Sequence, residues 1–109
     1  MQPIQLPAGS EPLVTVSKAH EYVWVIEMHN GADNRLTKDM CMAMVPALDI
    51  VEKAWRDVWR ATSADKSDKE KARASGALII TANRKQQKFF SNGFDYPTLL
   101  KHPHFIASA

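Results

Sequence analysis

Leu36, Met40, Met44, Leu48, Val51, Trp55 and Val58 recur at steps of three and four residues. A helix is the element that gathers such positions on one face. Lys38, Asp49, Glu52, Lys53, Arg56, Asp57 and Arg60 fall mostly between them and would meet water. Thr37 stands where a helix cap belongs, and Asp39 lies in the first turn, where the helix dipole favours a negative charge. Pro46 sits inside the pattern. It lacks the backbone donor and costs about 3 kcal/mol in a helix interior. The expectation is a kink or two helical pieces, and the stripe passing through Pro46 in phase favours the kink.

The rest of the chain reads as short strands joined by turns. Residues 1–12 carry Pro3, Pro7, Gly9 and Pro12 and read as an unordered lead-in. Leu13-Val14-Thr15-Val16 is a short β-rich run. Tyr22 to Met28 is a second, dense in β-branched and aromatic residues. Ser17 to His20 are short enough to join the two as a hairpin. Tyr22, Trp24, Ile26 and Met28 share one face. Val23 and Val25 make the other apolar too, so cover on both sides is expected. Asn30-Gly31-Ala32-Asp33-Asn34 is a turn cluster. Residues 62–75 are charged and small. Ala77 to Ala82 is continuously apolar and reads as a buried strand. A basic turn follows, and Pro97 then suits the first turn of a short helix. The order is β-β-α-β-turn-helix, an α/β class of fold, and no internal repeat is evident.

Composition narrows the function classes. The 109 residues are 45% hydrophobic, which argues for a packed domain and against disorder. Fourteen basic and twelve acidic residues leave a formal charge of +2. That balance gives no electrostatic footprint for nucleic acid. No run approaches the roughly 20 apolar residues of a membrane span. The N-terminus lacks a basic start followed by an apolar stretch, so no secretory signal is visible. The lone Cys41 excludes an internal disulfide and agrees with a reducing compartment.

Chemistry is concentrated between Lys88 and Leu100. There a strand ends, aromatic residues pack, a glycine permits close backbone approach, and a helix begins near Asp95 to Pro97. Main-chain N–H groups at such a start have no intrahelical acceptor and sit at the positive end of the helix dipole. Such donors suit a developing oxyanion.

Lys88-Phe89-Phe90-Ser91-Asn92-Gly93-Phe94-Asp95 resembles the first oxyanion-hole motif of the enoyl-CoA hydratase/isomerase (crotonase) superfamily, most of all its Δ3,Δ2-enoyl-CoA isomerase branch. Val25 to Met28 with Asp33-Asn34-Arg35-Leu36-Thr37 resembles that branch's strand, loop and first-helix start. Gly76 to Thr81 resembles the strand leading into the motif. The likeness covers residues 13–105, with three segments in order and at the right spacing.

The resemblance implies the first ββα units of a crotonase-type spiral fold in residues 13–109, truncated. It implies fatty acyl-CoA thioesters as substrates and double-bond isomerisation in fatty-acid β-oxidation. Coenzyme A would enter as part of the substrate, with no permanently bound cofactor and no metal. The Phe94 amide would be the oxyanion donor, and losing one such donor costs about 2.7–4 kcal/mol. Ser91, Asn92, Gly93, Phe94, Asp95 and Lys88, with Ala32 and Asn34 of the facing loop, would lie along the acyl-CoA. Arg84, Lys85 and Lys88 would meet its phosphates. Full-length relatives are homo-oligomers, trimers or hexamers, in peroxisomes or mitochondria; no targeting signal stands in this chain. The 109 residues do not contain the family's second glycine-bearing segment or its catalytic carboxylate. The expectation is therefore a chain inactive by itself. The alternative is a non-catalytic acyl-CoA or partner-binding fragment.

Other residues have plainer readings. Cys41 and its neighbouring methionines read as packing. Trp55 and Trp59, one helical turn apart, read as packing. His102 and His104 lack the further ligands of a metal site. Ser91 lacks the glycine of a nucleophile elbow. Asp95 reads as a helix cap.

Overall fold

The computed structural model describes residues 1–9, 11–31, 33–63, 75–83 and 90–93. A four-stranded sheet is built from β1 (Ile4–Leu6), β2 (Val14–His20), β3 (Val23–Met28) and β4 (Ala77–Ala82). One helix, α1 (Lys38–Ser63), follows β3. The strands lie side by side in chain order. β1 and β2 pair antiparallel, as do β2 and β3, whereas β4 joins β3 in parallel after the crossover through α1. The molecule is a small mixed α/β domain. Among the described residues, no helix is long and apolar enough to cross a membrane.

The core follows from strand alternation. Val14 and Val16 on β2, with Trp24, Ile26 and Met28 on β3, point to one face and are buried. From α1, Met40, Ala43, Ala47 and Val51 close onto them. Each large aliphatic side chain buried this way contributes about 1.5–3 kcal/mol. The helix begins as read from the sequence: the Thr37 hydroxyl accepts a hydrogen bond from Met40 N–H at 3.1 Å.

Several expectations need correction. Inside the stretch that reads as an unordered lead-in, Ile4–Leu6 form β1, because their main-chain groups pair with Val14–Val16. β2 runs to His20 instead of ending near Val16. Ser17, Lys18 and His20 have little β preference of their own, but pairing with Val25, Trp24 and Val23 holds them, with a bulge between Lys18 and His20. The Lys18 ammonium lies 5.6 Å from the centre of the Trp24 ring. At Pro46 no correction is needed to the preferred reading: α1 runs through it as one element, as the in-phase stripe favours. Four buried side chains on the same helix offset one lost hydrogen bond.

The buried line of α1 also differs from the one expected. It runs Met40–Ala43–Ala47–Val51, while Met44 is half-buried and Leu48 is 40% exposed. Two alanines let the helix approach the sheet closely. α1 packs mainly over β2 and β1. β3 therefore has full cover on one face only; Val23, Val25 and Glu27 on the other are half-buried. β4 is not buried, and Leu78, Ile79 and Ile80 are 39%, 47% and 41% exposed. A continuous apolar run predicts burial only if something lies over it, and the helix sits towards the other edge.

Candidate functional site

Beyond the C-terminal ends of β3 and β4, two segments far apart in sequence are fastened together. One is the turn at residues 30–36; the other is residues 90–93. Asn92 N–H donates to the Asp33 carbonyl at 2.7 Å, and Leu36 N–H donates to the Gly93 carbonyl at 2.8 Å. The Ser91 hydroxyl donates to the Asn34 carbonyl at 2.7 Å. Asn34 Nδ2 donates to the Phe90 carbonyl at 3.2 Å. These four bonds seat the second segment on the first.

Asn34 is the centre of the arrangement. It is fully buried, and its backbone takes a φ of 45°. Asparagine tolerates that left-handed conformation better than most residues. Its Oδ1 accepts from Asn30 N–H at 2.7 Å, closing the turn on itself. Asn30 Nδ2 reaches across to the Arg35 carbonyl at 2.7 Å. The side-chain amide of Asn34 thus works inward on the main chain, and its part in any ligand site is to hold the segment that carries Gly93.

Gly93 has a φ of +82°, and among the described residues a Cβ built on it would meet nothing within 4 Å. The glycine is required by its backbone angle. Its N–H donates to the Ser91 hydroxyl at 3.1 Å. Ser91 Oγ therefore links Gly93 to Asn34. Asn92 is exposed. Arg35 Nε lies 3.5 Å from Asp33 Oδ2, an ion pair open to solvent on the rim of the turn.

Of the residues that the sequence singles out, Asn34, Ser91, Asn92 and Gly93 come together here. Phe94, Asp95, Lys88 and Ala32, with Arg84 and Lys85 of the basic turn, lie outside the described residues, as do His102 and His104. Trp55 and Trp59, expected to pack one helical turn apart, do so with stacked rings whose centres are 6.0 Å apart.

One polar cluster was not read from the sequence. On the sheet face away from α1, the Thr15 hydroxyl lies 2.7 Å from His29 Nε2, and His29 Nδ1 lies 3.4 Å from Glu27 Oε1. Strand alternation places Glu27 and His29 on one face, and the antiparallel register sets Thr15 opposite Glu27. The first relation was open to sequence reasoning; the second required the register.

No family model, curated protein or solved structure matches this chain.

Proposed function

We propose that the chain is the N-terminal portion of an enoyl-CoA hydratase/isomerase-type protein that cradles the thioester of a fatty acyl-CoA. The observation that carries this reading is the fastening of residues 90–93 onto the turn at 30–36. The family resemblance sets both segments along the same ligand, and hydrogen bonds join them. Gly93, with positive φ and no described residue within 4 Å of where a Cβ would stand, is the kind of position at which main chain can approach a ligand closely.

The chemistry follows from charge. Removing a proton from the α-carbon of a thioester, or adding a nucleophile to the β-carbon, places negative charge on the carbonyl oxygen. A fixed main-chain N–H stabilises that charge without reorganising, and the next amide after Gly93 is that of Phe94. Asn34 and Ser91 are positioning residues in this scheme. Residues 1–109 hold one such donor of the two the family resemblance implies. We expect this chain to bind an acyl-CoA without turning it over, as the N-terminal part of a fatty-acid β-oxidation isomerase would.

Calorimetry with a medium-chain enoyl-CoA tests the reading. Saturable binding, weakened by Gly93→Val in a chain that keeps its circular dichroism spectrum, is the expected result. Equal heats for the enoyl-CoA and for buffer, or a Gly93→Val chain that binds unchanged, would remove the assignment.

A further inference from the structure

On the face of the sheet turned away from α1, a hydroxyl, an imidazole and a carboxylate follow one another. The Thr15 hydroxyl oxygen lies 2.7 Å from His29 Nε2, and His29 Nδ1 lies 3.4 Å from Glu27 Oε1. That is the order of a nucleophile, a base and a group that orients the base. Paired strands hold all three. Thr15 of β2 stands opposite Glu27 of β3. His29 follows β3 directly, and its N–H donates to the Leu13 carbonyl at 2.7 Å, which extends the ladder to it. Glu27 and His29 share a face at the two-residue period of a strand, and Thr15 meets His29 on the diagonal of the antiparallel pair. Groups on such elements are positioned more closely than groups on loops.

The carboxylate selects the tautomer. It can only accept, so it favours the proton on Nδ1 of His29. Nε2 is then the free acceptor, and the Thr15 hydroxyl donates to it. A hydroxyl so placed passes its proton to the imidazole as it attacks. The cluster is also within reach of a substrate. The His29 and Glu27 side chains are 22% and 33% exposed, and Thr15 is half-buried. α1 packs on the opposite face, against the layer of Val14, Val16 and Ile26.

A carbonyl under attack also needs a donor for its oxygen. Gln5 of β1 pairs directly with Thr15, so the two share this face, and Gln5 is exposed. Directly opposed side chains stand about 4.5–5.5 Å apart at Cβ. The Gln5 amide therefore has the length to reach an oxyanion formed on Thr15.

We propose that Thr15, His29, Glu27 and Gln5 form an acyl-transfer site that hydrolyses carboxylic esters and thioesters with good leaving groups. Thr15 Oγ1 bonds to the acyl carbon, and its proton passes to His29 Nε2. The bond from that carbon to the leaving oxygen or sulfur breaks, and the leaving group takes the proton from His29. Water then attacks the acyl-threonine, and a water proton returns through His29 Nε2 to Thr15 Oγ1. The sum is ester plus water to acid plus alcohol or thiol, with nothing oxidised or reduced. The Gln5 amide N–H meets the carbonyl oxygen while it is negative. Glu27 acts through His29 and is a positioning residue. A single side-chain donor gives an oxyanion limited support, which is why the substrate has to bring a good leaving group. This inference uses a different face of the sheet and does not depend on the acyl-CoA reading.

The full chain with p-nitrophenyl butyrate is the test, read by release of p-nitrophenolate and by peptide mass spectra after an acid quench. The expected result is saturable hydrolysis above the buffer rate, with a butyryl group on Thr15. Thr15→Val keeps the shape and strand preference of the side chain. It should remove the adduct and cut hydrolysis by at least about tenfold, and Thr15→Ser should restore both. His29→Gln should cut the rate by a similar factor. Glu27→Gln and Gln5→Ala should each lower kcat severalfold at an unchanged KM and an unchanged far-ultraviolet spectrum. Butyryl groups confined to lysines or the N-terminus, hydrolysis that persists in Thr15→Val, or a rate no higher than that of buffer would overturn the proposal.

Discussion

The Ser91 hydroxyl donates to the Asn34 carbonyl at 2.7 Å across 57 positions of sequence. The same oxygen accepts the Gly93 N–H at 3.1 Å. One side-chain atom thus ties the buried turn to the glycine of the neighbouring segment. Ser91→Ala leaves a carbonyl and an amide without these partners. We expect a cost of about 1–2 kcal/mol, local to this junction. Hydrogen exchange at the Gly93 amide should accelerate while the β3 amides keep their protection. Uniform loss of protection, or none at Gly93, would show that the link is not what holds the segment.

Asn34 carries two separate burdens, and two substitutions separate them. Its side chain satisfies Asn30 N–H and the Phe90 carbonyl, and its backbone sits at a φ of 45°. Asn34→Ala loses the hydrogen bonds and adds conformational strain. Asn34→Gly loses the same bonds without the strain. Urea denaturation should place the alanine variant about 3 kcal/mol below the parent and the glycine variant about 1 kcal/mol above the alanine one. Equal stabilities of the two variants would remove the backbone argument.

Local signals were the legible ones. The Thr37 cap, the existence of α1 and the β3 face through Trp24, Ile26 and Met28 are decided within a few residues and appear where the pattern puts them, whereas the buried line of α1 turned from Met44 and Leu48 to Ala43 and Ala47. The exposure of β4 was not legible, because it depends on α1 settling over β2 and β1. Nor was the burial of Asn34. A turn cluster of Asn, Gly and Asp reads as solvent-facing, and only the arrival of residues 90–93 closes it off. In the candidate site, strand–turn chemistry marked both segments, but the bonds between them connect residues no local pattern relates.

Glycines 76 and 93 share a positive φ but not their surroundings. At Gly93 a Cβ would meet none of the described residues within 4 Å. At Gly76 it would lie 3.0 Å from the Tyr22 carbonyl oxygen and 3.3 Å from carbons of Trp24 and Trp55. Gly93→Ala should therefore cost about 1 kcal/mol, the price of the backbone angle alone. Gly76→Ala adds displacement of main chain and of the Trp24 ring, and should cost about 2–4 kcal/mol. Thermal melts of the two variants compare them directly, and a Gly93→Ala chain the less stable of the pair would contradict the geometry.

The helix register can be checked at adjacent positions. Ala47 is fully buried against the sheet, whereas Leu48 is 40% exposed beside it. The larger residue is therefore the more dispensable. Leu48→Ala removes side-chain area already partly in water and should cost less than about 1 kcal/mol. Ala47→Leu forces three extra carbons between α1 and the Val14, Val16 and Ile26 layer and should cost about 1–3 kcal/mol. Met40→Ala, at the buried N-terminal end of the same line, should cost about 2–5 kcal/mol. If Leu48→Ala proved the more damaging change of the adjacent pair, the face of α1 turned to the sheet would be the one through Met44 and Leu48 and not the one through Ala43 and Ala47.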